Sequence, residues 1–120
     1  MLSVRHGKEA VAFYAAAFGA SAVIHAEDDD GRIVAELHAG DAHFWVADES
    51  PDNANFAPES IGGSAARMIL SVDDPDAVFA RALEAGAETV WPVVDAYGWR
   101  VGRLVDPFGH HWEIGRPLRS

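Results

Sequence analysis

The 120-residue chain has no cysteine. Neither a disulfide framework nor thiol catalysis is therefore available, and any metal must be held by His, Asp or Glu. Positive charge is scarce as well, with 9 Lys or Arg against 19 Asp or Glu and a net charge of −10. Such a field repels phosphate polymers and anionic membranes, so neither nucleic acid nor a membrane is an expected partner. No apolar run approaches the roughly 18 residues of a spanning helix, and no basic segment followed by an apolar one opens the sequence. A cytoplasmic protein is the expectation. A nucleophile-elbow motif and a phosphate-binding glycine loop are also missing.

What remains is a chain with 49% hydrophobic residues, enough for the core of one compact domain over 1–120. Met1 to Arg5 reads as a short strand and Lys8 to Phe18 as a helix, with Val11, Tyr14, Ala15 and Phe18 at helical spacing. Gly19 ends the helix, because glycine accepts the left-handed conformation that turns a chain back. Ser21 to Glu27, Arg32 to His38 and Ala42 to Ala47 then alternate as three strands joined by turns. From Glu49 to Ser64, prolines and glycines without periodicity mark an irregular crossover.

The pattern then starts again. Ala65 to Val72 reads as a strand, and Asp74 and Pro75 are the N-cap and first residue of a helix whose apolar face is Val78, Phe79, Ala82 and Leu83. Gly86-Ala87 closes it as Gly19-Ala20 closes the first, and Thr89 to Val94, Trp99 to Asp106 and His110 to Gly115 supply three more strands. The chain is an internal repeat of two βαβββ units, 1–48 and 65–120, joined by a crossover over 49–64. Its register is fixed by Leu2-Ser3-Val4, which recurs as Leu70-Ser71-Val72, and the same offset pairs Phe44 with Trp112 and Trp45 with Glu113. Each unit has an open sheet face that must be covered by the other unit or by another subunit, which predicts an α+β fold with a curved mixed sheet around a cleft, and a homodimer.

The most specific stretch is Val105-Asp106-Pro107-Phe108-Gly109-His110-His111-Trp112-Glu113-Ile114. Asp-Pro-Phe-Gly suits a type I turn, and in the strand that follows His111 and Glu113 share one face while His110, Trp112 and Ile114 share the other. This turn and strand, together with Phe13-Tyr14 through Phe18-Gly19-Ala20, closely resemble the vicinal oxygen chelate superfamily, which includes glyoxalases, extradiol dioxygenases and bleomycin-resistance-type proteins. The resemblance covers nearly the whole chain. It implies four metal ligands around a cleft in metal-dependent members, typically a His on the first strand and a Glu on the last strand of each unit.

Glu113 matches the last of these ligands. Arg67 stands where the second-unit His would be, and a charged guanidinium has no lone pair to offer. Trp45 stands where the first-unit Glu would be, and the counterpart of the remaining His falls before Met1. The reading is therefore a small-molecule-binding protein resembling the bleomycin-resistance type, with no cofactor. Its expected ligand-binding residues are Trp45, His43, Arg67, His111 and Glu113. Trp45 offers an aromatic wall for a flat organic ligand, and Arg67 is expected to pair with Glu113 in the place of the ion.

The alternative is a glyoxalase-like lyase or dioxygenase with a divalent metal at a displaced site of His43, His111 and Glu113. A third possibility is an assembly module whose cleft is filled by its own side chains. Glu36 and His38 read as a solvated pair, while His6, His25 and His110 have no convergent partner. Trp91, Trp99, Tyr97, Trp112 and Phe44 read as core.

Overall fold

The structure, a computed structural model, describes residues 1–118. The expected second unit runs past them, and positions 119 and 120 lie outside the described residues. Strand β1 (Leu2–Val4), helix α1 (Gly7–Phe18) and strands β2 (Ser21–Glu27), β3 (Ile33–Ala39) and β4 (Ala42–Asp48) form the first unit. A 3-10 turn at Pro51–Asn53 and a one-turn helix α2 (Pro58–Ile61) interrupt the crossover. The order then repeats as β5 (Arg67–Ser71), α3 (Pro75–Glu84), β6 (Glu88–Ala96), β7 (Trp99–Val105) and β8 (His111–Pro117).

Each unit gathers its strands into one sheet, in the orders β1-β4-β3-β2 and β5-β8-β7-β6. In both, the first and last strands run parallel and the other neighbours antiparallel. The α+β class and the two βαβββ units are as the sequence predicts. The expected curved mixed sheet is laid out as two four-stranded mixed sheets, one from each unit, that do not close.

The helices cover one face of each sheet and pack against one another. Helix α3 starts where Asp74 accepts a hydrogen bond from the Ala77 N–H at 3.2 Å, with Pro75 in the first turn. Helix α1 stops at Gly19, whose φ of 66° a side chain would strain. Its buried residues are Gly7, Ala10, Phe13, Tyr14 and Ala17, so the buried arc is rotated from the predicted Val11, Tyr14, Ala15 and Phe18. The reason is that α1 packs on two surfaces at once: on its own sheet, and on the second unit, where the Phe13 ring meets Phe108 with centroids 6.0 Å apart.

An aromatic seam joins the units. Phe44 and Trp112, equivalent by the repeat, lie with ring centroids 5.3 Å apart, and Phe18 meets Trp112 at 4.8 Å. Asp106, only 4% exposed, accepts from the Tyr14 hydroxyl and, at 2.9 Å, from the Trp112 indole N–H. Burial first and the Asp106 charge second raise the Tyr14 hydroxyl well above its ordinary pKa, so it stays a donor. His110 was expected to lack a partner, yet its Nε2 lies 2.9 Å from the Ser3 carbonyl in the first unit. It is a buried histidine tied to backbone.

Candidate functional site

The open faces of the two sheets carry the polar side chains that alternate with the core rows. On the second sheet β8 contributes Glu113 and β5 contributes Arg67, and parallel pairing brings the two strands side by side. Arg67 Nε stands 3.1 Å from Glu113 Oε2, the expected ion pair, with the carboxylate 19% and the guanidinium 56% exposed. One nitrogen makes this contact, so the pair lacks the two-pronged geometry arginine favours.

Beside this pair is a concavity of ≈ 600 Å³, walled by Ile69, Trp91, Trp99 and Val101 with Arg67 and Glu113. The sequence reading places Trp91 and Trp99 in the core. The structure corrects this. Strand β6 slips register between Thr89 and Trp91 and again between Trp91 and Val94, and these irregularities turn Trp91 onto the open face. Trp99 follows from the β6–β7 hairpin, at whose tip Tyr97 is fully solvated rather than core. Proline in mid-strand, at Pro92, was the available sequence signal for such an irregularity.

His111 lies next to Glu113's strand neighbours but not in the wall of the concavity. Arg103, which sequence reasoning passed over, stands opposite Glu113 on β7 and donates from Nε to His111 Nδ1 at 3.2 Å. Burial first and the Arg103 charge second lower the His111 pKa, which keeps the ring neutral and its Nδ1 an acceptor.

His43 and Trp45 lie on the other sheet, on β4. Within one chain the five expected ligand-binding residues are therefore two groups: Arg67, His111 and Glu113 on one sheet, His43 and Trp45 on the other. The alternative metal triad of His43, His111 and Glu113 is likewise divided between sheets. Among the described residues the one set with metal-ligand spacing is Glu36, His38 and His43. Glu36 is thus not the simple solvated partner of His38 that strand parity predicts. His25, expected to have no partner, lies 3.3 Å from Glu36 and stacks on Trp45 with ring centroids 4.7 Å apart.

The donor set does not fit the ion that metal-dependent relatives hold. Arg67 and Trp45 stand at two of the four positions that the resemblance assigns to ligands, and neither a guanidinium nor an indole coordinates a divalent cation.

The sequence profile described as the Glyoxalase/Bleomycin resistance protein/Dioxygenase superfamily matches residues 1–114. The chain belongs to this superfamily. An uncharacterized protein of Mycobacterium bovis is 37% identical over 99% of this chain and 82% of its own length. TioX from Micromonospora sp. ML1 is similar in structure, with a TM-score of 0.75 and 30% identity over 98% of this chain and 94% of that one. TnmS3, an antibiotic binding protein from Streptomyces sp. CB03234, shares the fold with a TM-score of 0.70 and 20% identity over 97% and 90% of the two chains. Superfamily membership thus rests on the sequence profile, while the overall fold agrees with the solved structures.

Proposed function

We propose that this superfamily member binds a small, flat, largely apolar organic molecule against the open face of the second sheet, with no metal at the Glu113 position, and acts as a homodimer. The observation that carries the reading is the ≈ 600 Å³ concavity with two indoles in its wall and one ion pair at its edge. Its size and its mix of apolar wall and few polar groups are those of small-molecule sites. Trp91 and Trp99 supply stacking surface, Ile69 and Val101 apolar contact, and Arg67 with Glu113 a fixed polar anchor. The use of this fold by an antibiotic binding protein, TnmS3, accords with the reading.

The dimer follows from the same faces. Val23, Ile69 and Val94 are exposed there, and a second copy would cover them. A pairing of the first sheet of one protomer with the second sheet of its partner would bring His43 and Trp45 over the concavity edged by Arg67 and Glu113.

The test is a fluorescence and NMR screen of planar aromatic and polycyclic compounds against the full chain, with sedimentation velocity on the same samples. The expected results are a dimer at micromolar concentration, quenching of tryptophan emission, and roughly tenfold weaker binding in Trp99→Ala, about 1.4 kcal/mol. Unaltered affinity in Trp99→Ala would place the site elsewhere, and a monomer would remove the shared cleft.

A further inference from the structure

On the first sheet a different chemistry is assembled. Glu36 and His38 lie on β3 and His43 on β4, and all three point to the open face because they alternate with the buried Ala35, Leu37 and Val46. His38 and His43 are direct cross-strand partners next to the hairpin turn, with ring centroids 4.0 Å apart. Glu36 Oε2 lies 3.3 Å from His38 Nε2 and 3.6 Å from His43 Nδ1. The three donor atoms all fall within 4.8 Å of one another.

The two separations from Glu36 match a coordination polyhedron. Nitrogen and oxygen ligands at about 2.0–2.1 Å from a tetrahedral ion stand about 3.3–3.4 Å apart. From these distances we propose that Glu36, His38 and His43 bind a borderline divalent ion of the zinc, cobalt or nickel type. Two imidazoles and one carboxylate suit such ions, while magnesium and calcium prefer all-oxygen shells.

The surroundings support the assignment. His25 is the extra residue where the β2–β3 register shifts between Ile24 and Ala26, and this irregularity aims its ring at Glu36 Oε1, the carboxylate oxygen that the other two histidines leave free. Trp45 stacks on the same ring and holds it there. His25 is thus a positioning residue for the carboxylate, the role outer-shell hydrogen bonds play at metal sites. The side chains of Glu36, His38 and His43 are 22%, 36% and 57% exposed, so an ion has a path in and water can complete its shell.

The site is off the superfamily's ligand positions, which fall on Trp45 and Glu113, and it does not rest on the concavity over the second sheet. The experiment titrates the full, tag-free, chelator-stripped chain with cobalt, reads the visible bands of the low-symmetry ion, and back-titrates with zinc. Saturation at one cobalt per chain, displaced by zinc, is expected. His38→Ala and Glu36→Gln are each expected to weaken uptake by at least about tenfold, and His25→Ala by less. No saturable uptake at millimolar cobalt, or uptake unchanged in both His38→Ala and Glu36→Gln, would overturn the proposal. Circular dichroism of each variant separates loss of the site from loss of fold.

Discussion

Asp106 decides more than its place in a turn suggests. Its Oδ1 accepts from the Phe108 and His110 N–H groups at 2.9 and 3.0 Å, a local pattern that an Asp opening a Pro-Gly turn makes legible in sequence. Its Oδ2 serves Tyr14 and Trp112, and nothing local announces that reach across the fold. Asp106→Asn puts an N–H where an acceptor is needed, and it is expected to cost about 2–4 kcal/mol in urea denaturation. A loss below about 0.5 kcal/mol would show that the network contributes little.

His111 carries a pH signature. Its folded pKa lies below the ordinary 6.5, so on acidification the unfolded chain gains a proton that the folded one resists. The stability this contributes is present above about 6.5 and is lost as pH falls toward the folded value. Thermal melts of the wild type should therefore decline more between about pH 7 and pH 5 than those of His111→Gln, and parallel declines would trace the acid sensitivity to other groups. The Arg67–Glu113 pair was legible because strand parity and the repeat together locate both residues. The Glu36 cluster was not, because it needs the exact hairpin register of β3 and β4 and the irregularity at His25.

At the level of elements, length and periodicity explain what could be read. Both main helices and every strand of the two units were legible, whereas α2 is too short to show a period. Strand β6 runs to Ala96, beyond the alternation that ends at Val94, because an edge strand tolerates Pro92 and two register shifts without losing its outer residues. Close packing sets the opposite constraint on β7. A Cβ on Gly102 would meet Phe79 Cε2 and Val93 Cγ2, each at 2.9 Å, beneath α3. Gly102→Ala is thus expected to destabilise by about 1–3 kcal/mol in equilibrium unfolding, since the ring and the strand must both yield. Wild-type stability in that variant would mean that the contact relaxes at no cost.

On the scale of the whole molecule, the repeat told what each unit buries but not what covers its other face. For that reason the sequence gathers Trp45, His43, Arg67, His111 and Glu113 around one cleft, while the chain distributes them over two sheets. The seam between the units has a further consequence. Tyr14 reaches Asp106 across 92 residues of chain and His110 reaches Ser3 across 107, so these bonds join positions that the repeat does not make equivalent. A half that opened alone would leave the carboxylate short of its donors and expose the Phe44 and Trp112 rings to water. The repeat supplies two scaffolds, but this stitching makes them one cooperative unit. In native-state hydrogen exchange the slowest amides of β4 and β8 should report a common opening free energy, and two distinct values would mean that the halves breathe independently.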